Sequence, residues 1–267
     1  MKFEAITQND LEELTYLQPD GWPDIVPDFR FYLSTSFCHP IKATADGKIA
    51  GIGTFIAFEK TSWLAHIIVH KDYRNKGIGF QVVKKLLSMY KNSTLETCSL
   101  VATELGQPVY TKAGFTVVST YSYFKRENPW KNYSVAPQVV PFQEKNRSEV
   151  FDLDKRISGE KREQLLTKFL RNAFVYSDKD MISGFYLPDL KEGLVFADTN
   201  DAGIELMKLK YSTADKAAIP SDNLAGIDFL ISNGFVDTGV KGTRMILGNP
   251  IDWKPLKIFS RIGGNFG

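Results

Sequence analysis

Two stretches of this chain echo each other at a fixed distance. Gly106, Gly114 and Phe115 recur as Gly226, Gly234 and Phe235, each 120 residues further on. Self-similarity at this scale points to duplication of one folding unit, so whatever half the chain folds into must be built twice. The length of 267 residues leaves room for about two domains of ordinary size. The segment 134–142, with Pro137 and Pro141 among small and apolar residues, reads as the linker. The expected division is 1–133, a linker over 134–143, and 144–267.

The pattern within the first copy interleaves strands and helices. Lys2–Ala5 reads as a strand, and 8–17 and 24–37 as helices. Residues 41–45 and 48–59 form a hairpin across the turn dipeptide Asp46-Gly47. A strand over 61–70, a helix over 79–91, a strand over 98–102 and a short helix over 108–113 follow. Two strands, 115–120 and 121–126, close the copy. The second copy follows similar lines, with helices near 148–153 and 161–169 and a hairpin across Lys179-Asp180. The fold class is mixed α/β, in two similar domains.

Chemistry concentrates at Arg74-Asn75-Lys76-Gly77-Ile78-Gly79-Phe80. A buried strand enters this turn, and Val82, Val83, Leu86, Leu87 and Tyr90 leave it at helical spacing. The first amides of a helix lack internal partners and carry partial positive charge, which suits a diphosphate. Two glycines remove the Cβ atoms that would hold phosphate oxygens away. A nucleoside-triphosphate loop is excluded because no Lys-Ser/Thr follows the last glycine, and the glycine spacing is wrong for a dinucleotide fold.

Arg74-x-x-Gly77-x-Gly79 after Val69-His70-x-x-Tyr73, followed in order by Tyr110-x-x-x-Gly114-Phe115, resembles the GNAT superfamily of N-acetyltransferases. The tryptophan loop, Ala102-Thr103-x-x-Gly106-x-Pro108-x-Tyr110 and a degenerate second copy together resemble a bacterial group of two-domain GNAT proteins. The resemblance implies a tandem GNAT (acyl-CoA N-acyltransferase) fold. It also implies an acetyl-CoA-dependent N-acetyltransferase, moving acetyl to a primary amine by direct attack in a ternary complex. A non-catalytic acyl-CoA sensor is the alternative.

By the same resemblance, coenzyme A meets Ile67, Ile68 and Val69 with its pantetheine and acetyl parts. Its diphosphate meets Arg74, Asn75, Lys76, Gly77, Ile78, Gly79 and Phe80. Thr103 stands where the superfamily commonly has an asparagine that touches the cofactor, and the equivalent in the second copy is Asn223. Tyr110 is the expected proton donor to the leaving thiol, against the plainer reading of a packed ring. For the base, His66 has a suitable unperturbed pKa of about 6.5, with Glu104 as another candidate and a packed histidine as the bland reading. Trp22, in the loop between the first two helices, and Trp63 are expected to touch the acceptor. Phe29 and Tyr32, three apart on a helix, read rather as core.

In the second copy, Arg74, Gly77 and Gly79 are replaced at the same offset by Leu194, Ala197 and Thr199, and Tyr110 by Leu230. Loss of cofactor binding is expected there. The charged residues of 154–156 and 159–162 read as a solvated face. A net charge of +2 gives no basic field for nucleic acid. No apolar run is long enough for a membrane, and the start is no signal peptide. Two cysteines, Cys38 and Cys98, and three histidines, His39, His66 and His70, lack metal-site spacing. The expectation is a cytoplasmic protein without metal, monomer or homodimer, whose partner is a small-molecule or peptide amine.

Overall fold

The computed structural model describes residues 1–128, 130–179 and 181–267. It divides into two compact units, each discontinuous in sequence. The first holds Met1–Thr116, Met245–Asn249 and Gly264–Phe266; the second holds Val117–Arg244, Pro250–Gly263 and Gly267. The contiguous division expected from the sequence is therefore revised. The strand beside the last strand of the first unit comes from 245–249, and 117–125 belongs to the second unit.

The first unit runs β1 (Lys2–Ala5), α1 (Val26–Leu33), β2 (Cys38–Ala45), β3 (Lys48–Ala57), β4 (Thr61–Val69), α2 (Ile78–Lys91), β5 (Thr97–Ala102) and α3 (Gln107–Lys112). Its strands pair in the order β1-β2-β3-β4-β5, antiparallel except for β4 with β5. The hairpin across Asp46-Gly47 forms, with both residues at positive φ (53° and 75°). Val82, Val83, Leu86 and Leu87 of α2 pack with Phe55, Leu64, Cys98, Leu100 and Phe115 in one buried cluster. Gly53 lets the helix come close, because a Cβ there would lie 2.8 Å from Val82 and 2.9 Å from Leu86.

Local side-chain bonds explain two departures from the expected helices. Residues 8–17 form two 3-10 turns, Gln8–Asp10 and Glu13–Leu17. Asp10 accepts from the Thr7 amide (2.7 Å) and pairs with Lys42, and Glu13 accepts from the Ile49 amide (2.9 Å), so the segment is tied to β2 and β3. The second helix is cut to Val26–Leu33, with Pro27 setting its start and Ser34 and Thr35 bonding back at its end.

The second unit contains β6 (Thr116–Lys125, from Val117), β7 (Val139–Pro141), α4 (Arg147–Ser158), α5 (Glu163–Leu166), β8 (Phe174–Asp178), β9 (Met181–Leu187), β10 (Leu194–Ala197), α6 (Asn200–Lys210), β11 (Lys216–Pro220), α7 (Leu224–Ser232), the first part of β12 (Val236–Gly248) and β13 (Ile258–Ser260). One sheet has the order β13-β10-β9-β8-β7, and β11 pairs with β6. The expected linker thus ends in a strand, since β7 pairs with β8, and the two strands expected over 115–126 are one. In the expected turn Lys179-Asp180, Asp180 lies outside the described residues.

The charged run after residue 153 is the largest correction. Asp154, Glu160 and Arg162 are buried, and Arg162 grips Asp154 through Nε and Nη2 at 2.9 and 2.8 Å. Planar guanidinium and carboxylate match two-fold, which is how such charges tolerate burial.

Candidate functional site

The duplication is visible in matching turns. The Thr103 hydroxyl accepts from the Gly106 amide (3.2 Å), and the Asn223 carbonyl accepts from the Gly226 amide (3.0 Å). Gly114 and Gly234 end the following helices at φ 99° and 84°. Thr103 therefore serves as a turn cap, like its counterpart.

The loop after β4 is shaped by left-handed residues, Asn75 at φ 60° and Gly77 at φ 75°. A Cβ at Gly77 would meet nothing within 4 Å, and one at Gly79 only Val69, at 3.4 Å. Space above both glycines is open. Gln81 is the first amide of α2 to bond back, to the Gly77 carbonyl (3.2 Å), and no side chain caps the helix. The amides of Ile78, Gly79 and Phe80 are thus left for an anion. Arg74 rests on the Val69 carbonyl (3.3 Å) and Lys76 on the Asp72 carbonyl (3.1 Å), both within the loop. This loop fits a diphosphate.

β4 and β5 pair only from Thr61↔Thr97 to Trp63↔Ser99, after which β4 continues to Val69 and β5 to Ala102. The parting coincides with a bulge in β4, where register against β3 passes from Thr54↔Ala65 to Ile52↔Ile68. His66 occupies the bulge at φ 47°, an unusual conformation for a residue with a Cβ. Backbone of Ile67, Ile68 and Val69 borders the gap that opens.

Tyr110 lies on α3 with its ring half-buried against Phe115 (6.2 Å between centroids). Gly106 makes room for it, since a Cβ there would be 3.0 Å from the ring. Burial pushes the phenol well above its usual pKa, and its hydroxyl has no hydrogen-bond partner among the described residues. Glu104 lines an open cavity of about 480 Å³ with Gln107, Pro108, Thr111 and Lys112.

His66 is held at both nitrogens. Nδ1 lies 2.7 Å from the Tyr32 hydroxyl and Nε2 3.2 Å from Asp28 Oδ2. The rings of Phe29 and Tyr32 each sit 5.6 Å away, and burial lowers the imidazole to about 4. A neutral ring with both nitrogens engaged offers no lone pair for a proton at neutral pH. Trp22 meets His66 edge-on at 6.3 Å and is 42% exposed. Its loop is pinned by Gln18, which donates to the Trp22 and Pro23 carbonyls at 3.0 and 2.9 Å. Trp63, expected to touch the acceptor, is fully buried. That expectation is corrected, because β4 is buried on both faces from Thr61 to Ala65, where it pairs with β3 and β5.

Sequence reasoning missed Asp28 and Asn265, which complete the His66 cluster. Asp28 is four residues before Tyr32 on α1 and so shares its face, a signal that was readable. Nothing local marks Asn265, whose Nδ2 donates to the Tyr32 hydroxyl at 2.8 Å.

The second unit arranges the same elements differently. Only Asp198 and Thr199 separate β10 from α6, where residues 70–77 separate β4 from α2. The Thr199 hydroxyl caps α6 by accepting from the Ala202 amide (3.2 Å), and Asp198 faces Arg156 at 2.5 Å. β13 pairs antiparallel with β10, filling the edge that β4 leaves open. Phe259 of β13 is buried against Gly203 of α6, and Lys210 of α6 binds the Ser260 hydroxyl.

Residues 27–128 match the acetyltransferase (GNAT) domain family. No curated protein sequence matches the chain. Among solved structures, a Pyrococcus horikoshii protein assigned provisionally as an acetyltransferase superposes with a TM-score of 0.84 at 20% identity, over 100% of this chain and 95% of its own. A tandem GNAT protein from the clavulanic acid biosynthesis pathway gives 0.62 at 12%, over 94% and 99%. A GCN5-related N-acetyltransferase from Sphaerobacter thermophilus gives 0.64 at 11%, over 95% and 98%. Among the described residues no helix is long and apolar enough to cross a membrane. Residues 27–128 thus belong to the acetyltransferase (GNAT) domain family, and the chain along its length has the fold of tandem GNAT proteins.

Proposed function

We propose that the protein transfers an acetyl group from acetyl-CoA to a primary amine, by direct attack with both substrates bound to the first unit. The open, uncapped start of α2 carries this reading. Its amides and the side chains of Arg74 and Lys76 would hold the diphosphate, and the free edge of β4 at Ile67, Ile68 and Val69 would pair with the pantetheine arm. Coenzyme A, when bound, supplies the reactive thioester. A β4 amide aimed at the carbonyl oxygen would stabilise charge developing there without reorganising, an effect worth roughly 10²–10³ in rate.

Tyr110 supplies the proton for the departing sulfur. A phenol with a raised pKa stays protonated, and the same apolar surroundings raise the basicity of a thiolate. His66 is assigned to holding Asp28 rather than to accepting the proton itself. The second unit binds no cofactor, since its helix start is capped and its strand edge filled. Two buried free cysteines accord with a reducing, cytoplasmic setting.

The direct test follows thiol release from acetyl-CoA with a panel of primary amines. Amine-dependent release is expected. A protein that binds acetyl-CoA yet releases no thiol with any amine is a sensor, and transfer is then rejected.

A further inference from the structure

We propose that Asp28 receives the ammonium group of the amine acceptor and that His66, Tyr32 and Asn265 form a buried chain holding its carboxylate in place. This rests on the acetyltransfer reading above and names the chemistry of its acceptor end.

The order of donors along the chain follows from chemistry. Asn265 Nδ2 can only donate, so the Tyr32 oxygen accepts at 2.8 Å. The Tyr32 proton then points to His66 Nδ1 at 2.7 Å, which must accept. Nε2 therefore carries the ring's proton and donates to Asp28 Oδ2 at 3.2 Å. Every link delivers a proton toward the carboxylate. Tyr32 and Asn265 are buried, and the Asp28 side chain as a whole keeps 13% exposure.

Three polar side chains buried among Phe29, Phe31 and Phe266 are a costly way to fill space. They converge on one carboxylate, and the β4 bulge turns His66 toward it. The partly exposed Trp22 meets the same histidine, on a loop fixed by Gln18. A carboxylate is the group that recognises an alkylammonium ion, and the Trp22 ring meets the histidine that holds the Asp28 carboxylate. A primary amine of pKa about 10 arrives protonated at neutral pH, and a carboxylate pairs with that cation. Among residues 61–69 of β4 no acid is available. Asp28 supplies the charge from α1.

The full-length protein saturated with coenzyme A is titrated calorimetrically with n-butylamine, 1,4-diaminobutane and spermidine at pH 7, with n-butanol as the uncharged control. At least one amine, and not the alcohol, is expected to bind. Asp28→Asn keeps an oxygen for His66 but removes the charge, and should weaken that amine by about ten- to a hundredfold while leaving acetyl-CoA affinity unchanged. Tyr32→Phe and Asn265→Leu should weaken it severalfold with the carboxylate intact. His66→Gln, which retains an N–H donor, should bind amine better than His66→Leu. A merely structural cluster would lower the melting temperature of these variants without separating amine from acetyl-CoA affinity. Equal amine affinity in Asp28→Asn and parent, or no amine bound by the parent complex, overturns the proposal. Failure of the parent to bind acetyl-CoA, measured first, is a different result that defeats the acetyltransfer reading and this one with it.

Discussion

Replacing Gly77 by Ala separates the demands of folding from those of the ligand. Gly77 sits at φ 75°, where a Cβ is strained, but nothing lies within 4 Å of that Cβ. The folding cost is therefore conformational only, about 1–2 kcal/mol. Gly47, in the turn between β2 and β3, has the same φ of 75° and equally empty surroundings. Gly47→Ala should cost the same, and both variants should melt roughly 2–6 °C below the parent. Their affinities should differ. A backbone hydrogen bond to a charged group contributes about 1.5–3 kcal/mol. Displacing one amide at the diphosphate by distorting Gly77 should thus weaken acetyl-CoA by about ten- to a hundredfold. Gly47→Ala should leave affinity unchanged. Gly79→Ala sharpens the contrast, because Gly79 has no positive φ and its Cβ would make only ordinary contact with Val69. That variant should melt no lower than the parent, yet lose affinity. Calorimetric titration with acetyl-CoA beside thermal melts reads both quantities. If Gly77→Ala bound acetyl-CoA as well as Gly47→Ala does, the diphosphate assignment would be refuted.

Further expectations concern single side chains. Tyr110→Phe should lower kcat by about 10² with acetyl-CoA affinity unchanged; unchanged turnover removes the residue from proton transfer. The folded His66 imidazole lies at about 4, below its unfolded value of about 6.5, so its neutral burial contributes stability that is full above pH 6.5. That contribution is lost as pH falls from 6.5 toward 4, by at most about 3 kcal/mol, and His66→Gln should flatten this window in urea-unfolding measurements. In the second unit, Arg162→Met would leave buried Asp154 without its two-point partner and should cost about 3–5 kcal/mol of stability. A loss under 1 kcal/mol would show that Asp154 finds another partner.

What the sequence made legible was local and periodic. The start of α2 could be read because strand, glycines and helical spacing sit within one short stretch. The echo at 120 residues revealed a duplicated unit for the same reason, and the shared caps at Gly106 and Gly226 follow from it. Long-range events were not legible. Nothing near Ser99 indicates that the strand beside β5 arrives from residues 245–249, or near Leu194 that β13 will pair with β10. The bulge at His66 depends on how β3 and β4 register, with Gly53 opposite it under α2, and so escaped a reading of β4 alone. The run around Asp154 looked solvated because charge at helix surfaces usually is. Its burial depends on Arg162 folding back eight residues later, a pairing no periodicity announces. Trp63 failed as an acceptor contact because both faces of β4 are covered from Thr61 to Ala65.

Calorimetric titration of the purified full-length protein with acetyl-CoA tests the central claim most directly, through its stoichiometry. The expected result is one molecule bound per chain, with binding lost when Gly77 and Gly79 are both replaced by Val. No binding by folded protein, two molecules per chain, or binding that survives that replacement would contradict it.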